Sequence, residues 1–174
     1  HESVFTSSAG YTPLFFRWAR WKSRCLLEVA EKIMREARRI RPELKFAANL
    51  YYESLQSPQN ALCWLSQDAD LALQSFDYIA LMAYHRQIRK ELDLTPEEAY
   101  DILKGISSKA IEKAKDPRRV IMKIQAIDWE DRTPLPDGEI DYAMREVTSA
   151  GDVSFAIVPF GPDTDLSFAS KYFK

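Results

Sequence analysis

Asp128-Trp129-Glu130 sets a carboxylate on each side of an indole, just after an apolar run that contains Gln125. Such a triplet can hold a sugar. The indole face stacks on pyranose C–H surface, and the acids take hydroxyl protons or an ammonium group. The plainer alternative is that Asp128 and Glu130 are loop charges and Trp129 caps a core. A second polar group, Tyr84-His85-Arg86, closes the apolar run of residues 78–83. His85 there is either a ligand contact or a satisfied structural histidine. Gln125 lies inside "MKIQAIDW". Burying it unpartnered would cost roughly a few kcal/mol, so it bonds either interior groups or a ligand. Asn49, Tyr51, Tyr52 and Glu53 end a third run, and Phe160 and Asp163 follow a fourth. Asp163 could instead serve only to cap a last helix. Aromatic rings mixed with amides and carboxylates suit a carbohydrate better than a nucleotide.

Other chemistries lack their residues. The chain has five glycines, no GxGxxG, no GxxxxGK[ST] and no GxSxG, so neither a phosphate-cradling loop nor a nucleophile elbow is expected. Cys25 and Cys63 form no CxxC or Cys/His cluster. No metal and no cofactor is expected, and both cysteines read as buried free thiols. The net charge of -2 speaks against nucleic acid as a partner. The basic residues Arg35, Arg38 and Arg39 follow Glu31 and Glu36, the pattern of a solvated helix face. No apolar stretch is long enough for a membrane helix. The chain opens at His1 with neither Met nor a signal-like run, which suggests a processed chain or a fragment.

The elements that must position these residues alternate. Helical spacing of Trp18, Trp21, Leu26, Val29, Ile33 and Ala37 predicts a helix over 17–40, with both tryptophans packed in the core, and Pro42 ends it. A strand is expected in 44–52. Ser57-Pro58 should cap one helix that carries Ala61, Leu62, Leu65, Ala69 and Leu73. The strand before Tyr84 follows. Thr95-Pro96-Glu97-Glu98 is a capping-box start for a helix to about Lys115. Residues 119–127 form a strand, Asp137-Gly138-Glu139 starts a helix that Gly151 ends, and 153–160 form a strand. Residues 164–173 suggest a last short helix. The fold class is therefore α/β, built of alternating β/α units with parallel strands apolar on both faces. Either a doubly wound sheet or a (β/α)8 TIM-barrel-like fold fits. Four strands would be roughly the second half of such a barrel. Both architectures put ligands at the carboxyl ends of the strands, where Tyr84, His85 and Arg86 fall.

"RWARWKSRCLLEVA" (17–30), "KFAANLYY" (45–52), "FDYIALMAY" (76–84), "MKIQAIDWE" (122–130) and "FAIVPFGPD" (155–163) occur in an order and spacing that resemble a known family. It is the C-terminal domain of PgaB-type poly-β-1,6-N-acetyl-D-glucosamine N-deacetylases, glycoside hydrolase family 153. The resemblance implies that residues 1–174 are one glycoside-hydrolase-like barrel domain or the C-terminal part of one. It further implies a groove for partly deacetylated poly-β-1,6-N-acetylglucosamine, endolytic cleavage, an upstream metal-dependent deacetylase domain and an extracytoplasmic setting, periplasmic or at the surface. The family's His-Asp-Asp segment looks like His1-Glu2-Ser3 here, with Glu2 at the first acidic position and Ser3 replacing the second acid. Glycoside hydrolysis commonly takes two carboxyl groups. Glu2 is thus the first candidate, and Asp128, Glu130 or Asp163 the second. His1, Asn49, Tyr51, Tyr84, His85, Gln125, Trp129, Glu130, Phe160 and Asp163 are the expected substrate contacts. A polysaccharide-binding module without catalysis is the competing reading, and a doubly wound enzyme acting on a small substrate is a third.

Overall fold

The computed structural model describes residues 6–7, 10–159 and 167. They form two compact units, which divide at Ile79.

In the first unit, β1 (Thr6–Ser7) and β2 (Gly10–Tyr11) pair as an antiparallel hairpin. Gly10 sits at φ 115°, where a side chain would be strained. Helix α1 (Pro13–Ile40) then starts with Pro13 in its first turn, and the Thr12 hydroxyl accepts from the Phe15 amide at 3.2 Å. It begins four residues earlier than the periodicity predicts, because this cap precedes the regular apolar spacing. Trp18 and Trp21 do not pack in the core: they are 39% and 61% exposed. Helix α1 has two apolar stripes, and the one that is buried carries Ala19, Ser23 and Met34. Strand β3 (Ala47–Tyr51) buries Ala48 and Leu50 and exposes Ala47 and Asn49, so it is covered on one face rather than two.

The single helix expected after Ser57 is broken into pieces. Helix α2 (Glu53–Gln56) precedes it, α3 (Pro58–Asn60) runs into a π-helical turn over Ala61–Leu65, and α4 (Ala69–Ser75) follows. Ser57 makes no capping hydrogen bond. Ser66 instead takes a left-handed conformation that stops the helix, and the Asp68 carboxylate caps a fresh one by accepting from the amides of Asp70 and Leu71. Gln67 lies between the pieces and its side-chain oxygen accepts from the Tyr51 amide at 2.7 Å.

Strand β4 (Tyr78–Ala83) begins in the first unit and ends in the second. The second unit continues with α5 (His85–Glu91), α6 (Pro96–Ala114), a 3-10 turn (Pro117–Arg119), β5 (Val120–Gln125), α7 (Asp137–Ser149) and β6 (Ser154–Val158). The Thr95–Glu98 capping box forms as expected. Strands β5 and β6 are parallel, with Gln125 opposite Val158. Strands β3 to β6 lie in chain order, without the reversal that a doubly wound sheet requires. Helix α6 packs on α5 and α7, and Ser107 donates to the Val147 carbonyl at 2.6 Å. Gly151 is not a left-handed cap. A Cβ there would stand 2.8 Å from Cδ1 of Ile111, so close approach to α6 explains the glycine.

Candidate functional site

The second unit holds a cleft of about 780 Å³ at the ends of β4 and β5, lined by Tyr84, Arg86, Lys90, Gln125, Asp128, Trp129 and Glu130 among others. Gln125 at the end of β5 and Tyr84 just after β4 lie between two sides, one from α5 and the residues that follow it and the other from the loop after β5. Ile79, Ala80, Leu81 and Ala83 of β4 are buried, and Tyr84, which follows them and lines the cleft, is 8% exposed. Burial pushes its phenol above the ordinary value. The loop after β5 is held by backbone bonds: Leu135 donates to Ala126, Asp128 to Thr133, and Arg132 to Asp128. Arg132 takes positive φ to make the turn. This small ladder frames the Asp128-Trp129-Glu130 segment. The Trp129 ring meets Tyr84 edge-on, with centroids 5.4 Å apart.

Behind the wall lies a charged network. Arg86 grips Glu139 with two hydrogen bonds, Nε to Oε1 and Nη2 to Oε2, both 2.7 Å. Its Nη1 donates to Asp128 Oδ2 at 2.9 Å. Asp128 Oδ1 accepts from the Glu130 amide at 2.8 Å, so both oxygens of this acid serve as acceptors. His85, 4% exposed, places Nε2 2.7 Å from the same Glu139 Oε1. The bond to Arg86 holds the Glu139 carboxyl below its ordinary value against the opposing effect of burial, with His85 adding to the depression. An ionised Glu139 can only accept, so Nε2 of His85 carries the proton. Burial lowers the imidazole's pKa and outweighs the pull of Glu139. Hydrogen bonding to Glu139, opposed by burial, raises the Arg86 guanidinium further above its usual value. Lys90 and Glu130 form an exposed ion pair at the rim.

The expected residues divide as follows. Tyr84, Gln125, Asp128, Trp129 and Glu130 come together at the cleft. His85 is placed behind it and stacks on Tyr100 with ring centroids 5.3 Å apart. Gln125, 1% exposed, donates through Nε2 to the Ile127 carbonyl, while its Oε1 and the Trp129 Nε1 are buried without a hydrogen-bond partner among the described residues. Asn49 and Tyr51 belong to the first unit, where Asn49 lines a separate hollow of about 260 Å³ and the Tyr51 ring lies against Tyr52. His1, Glu2, Phe160 and Asp163 lie outside the described residues. Sequence reasoning missed Glu139, which reads locally as a helix-start acid. Its partner Arg86 is 53 residues away, and no local spacing links them. Among the described residues no cluster of His, Cys, Asp and Glu could hold a metal ion. Both cysteines are free, Cys63 buried and Cys25 partly so. No described helix is long and apolar enough to cross a membrane.

Comparison with known proteins fits this arrangement. The family model described as hypothetical glycosyl hydrolase family 13 matches residues 7–157. Poly-beta-1,6-N-acetyl-D-glucosamine N-deacetylases of Escherichia coli K12 and O157:H7 are each 30% identical over 120 residues, covering 67% of this chain and 17% of the relative. The PgaB (BpsB) glycoside hydrolase domain from Bordetella bronchiseptica superposes with a TM-score of 0.72 at 23% identity, over 85% of this chain and 40% of that one. The chain thus spans under a fifth of the curated deacetylases and under half of the solved domain, and the latter shows a shared fold. With the family model covering most of its residues, the chain belongs to the hypothetical glycosyl hydrolase family 13 and carries a PgaB-type, glycoside-hydrolase-like α/β fold.

Proposed function

We propose that this domain binds partly deacetylated poly-β-1,6-N-acetylglucosamine in the β4/β5 cleft and cleaves it internally. The observation that carries this reading is the wall of the cleft. Trp129 and Tyr84 offer aromatic surface at the carboxyl ends of two neighbouring strands, with Asp128 and Glu130 beside them. Stacking supplies affinity for a sugar ring, and acids at the same height supply acceptors for hydroxyl and ammonium groups. The substrate named for the Escherichia coli relatives supports the polymer assignment. In this reading Asp128 takes a proton or holds a cationic sugar, because giving a proton would require breaking its Arg86 bond. The leaving-oxygen acid is assigned to Glu2. The setting we propose is extracytoplasmic, where the polymer would meet the domain.

Binding without cleavage is favoured by one specific observation: the two acids that flank Trp129 are each in an ion pair, Asp128 with Arg86 and Glu130 with Lys90. Incubating the protein with the partly deacetylated polymer and reading products by mass spectrometry separates the two. Discrete short oligomers, lost in Glu2→Gln with the fold intact, are the expected result. Binding with intact polymer would replace hydrolysis by a carrier role.

A further inference from the structure

We infer that His85 is a positioning residue, which acts on the cleft through Glu139 and Arg86 and sets where the Asp128 carboxylate stands. The inference rests on the cleft being the substrate site proposed above. Four side chains form an unbroken line of hydrogen bonds: His85 Nε2 to Glu139 Oε1, Glu139 to Arg86 at both oxygens, and Arg86 Nη1 to Asp128 Oδ2. Each link uses the geometry of the next. Glu139 receives three donors, and a carboxylate so held has little freedom to turn. Arg86 is a planar fork, so fixing Nε and Nη2 on Glu139 also fixes the direction of Nη1. Asp128 is tied at its other oxygen to its own loop. A displacement of the imidazole therefore passes to the rim with no slack side chain between.

A purely structural role explains His85 poorly. Among the described residues its Nδ1 is buried with no hydrogen-bond partner. Leaving a buried polar atom unmatched is unfavourable, and a glutamine could donate to Glu139 without an imidazole. The groups facing His85 are Glu139 from α7, Arg86 and Arg89 from α5, and Tyr100 from α6, with Tyr142 stacked edge-on behind Tyr100. A hollow of about 200 Å³ adjoins it, lined by Arg89, Pro96, Ala99 and Tyr100. Glu139 is the only carboxylate in this set, so the donor at Nε2 has one target.

The test compares two substitutions in the full chain. His85→Gln keeps a donor toward Glu139; His85→Phe keeps the ring stack on Tyr100 and removes the donor. The Arg86 Nε–H signal in the nitrogen-15 NMR spectrum reads the relay without any substrate. It should stay sharp in the parent and in His85→Gln, and exchange at least about ten-fold faster in His85→Phe. With partly deacetylated poly-β-1,6-N-acetylglucosamine, kcat should fall about 10- to 100-fold in His85→Phe with KM little changed, the scale for misplacing a reacting group. His85→Gln should recover most of it. An unchanged Arg86 signal in His85→Phe, or equal losses in both variants, overturns the inference. If the parent releases no oligomers, hydrolysis is what fails, and the Arg86 signal still decides the relay. Should His85→Phe not fold, Glu139→Gln weakens the same link from the other side, and an unaltered Arg86 signal there refutes the relay.

Discussion

Two carboxylate–arginine clusters flank β4 in the chain, one just before it and one just after. The first centres on Asp77. It accepts from the Phe46 amide at 2.8 Å and from Arg38 at 2.6 Å, with Lys45 at 3.4 Å. Burial alone would raise this acid, but the Phe46 amide, Lys45 and Arg38 hold it below its ordinary value. The second cluster joins His85, Arg86, Asp128 and Glu139. The chemistry is similar and the setting is not. Asp77 spends its lone pairs on a backbone amide and two cations of its own unit, tying the start of β4 to the entry of β3. Arg86 ties elements that meet at the cleft and ends on an acid of the cleft wall. In β/α folds the amino ends of strands serve stability and the carboxyl ends serve ligands. The two clusters show what that rule means in atoms.

The largest effect should separate them by stability. Arg86→Ala leaves Glu139 with His85 and Asp128 with the Glu130 amide, and takes the cation from two acids whose side chains are only 22% and 21% exposed. Breaking a fully buried pair costs about 3–5 kcal/mol, and with Arg86 itself a third exposed the expected loss is about 2–3 kcal/mol. Arg38→Ala leaves Asp77 with the Phe46 amide and Lys45, so about 1 kcal/mol should be lost. Urea denaturation of both variants makes the check. Equal losses would mean that the two clusters are the same kind of tie.

Binding should separate them in the opposite sense to a simple stability ranking. Trp129→Ala removes the aromatic wall and should weaken polymer binding about ten-fold, or about 1.4 kcal/mol, with little change in fold. Asp77→Asn should leave binding unaltered. Titration calorimetry with a defined β-1,6-glucosamine oligomer would read both. A loss in Asp77→Asn alone would move the site away from the β4/β5 cleft.

Acid should also reach the clusters at different pH. The His85 imidazole is neutral in the fold, with a pKa below the ordinary 6.5. The unfolded chain therefore takes up its proton first, and stability declines as pH falls through about 6.5 toward the lowered folded value. Asp77 contributes stability above its unfolded value of 3.8, and that is lost only as pH falls through the lower folded value. His85→Gln should abolish the decline near neutrality and leave the strongly acidic one. Thermal melts from pH 7 to pH 3 would show whether the two steps part in this way.

Much of the second unit is legible in the chain, and less of the first. The capping box at Thr95, the β4 and β5 runs and the α7 start each carry their instruction locally, and the structure follows them. Asp128-Trp129-Glu130 was recognisable because three informative residues are adjacent. Glu139 was not, since its meaning comes from Arg86 across 53 positions. In the first unit the local pattern misleads. Ala61, Leu62 and Leu65 keep helical spacing, yet the chain breaks at Ser66, which frees Gln67 to bond the β3 amide of Tyr51. Trp18 and Trp21 keep the spacing of core residues and remain exposed, because helical periodicity marks an apolar stripe but not which surface covers it.

The smallest effect tests whether charge balance at the rim matters. Lys90 and Glu130 are 69% and 67% exposed at their side chains, and such a pair contributes little to stability, about 0.5 kcal/mol or less. Lys90→Gln should therefore hardly move the denaturation midpoint. It does release the Glu130 charge into the cleft. A partly deacetylated polymer carries ammonium groups, so its affinity should rise by roughly two-fold at low salt, and the gain should fade near 0.15 M as screening shortens the field's reach. A neutral, fully acetylated oligomer should show no gain. The mirrored change in the first unit, Lys45→Gln beside Asp77, should alter neither ligand, because that acid is already committed to the Phe46 amide and Arg38. If both polymers respond alike to Lys90→Gln, the rim acid acts through loop shape rather than charge, and the cleft selects sugars by its aromatic wall alone.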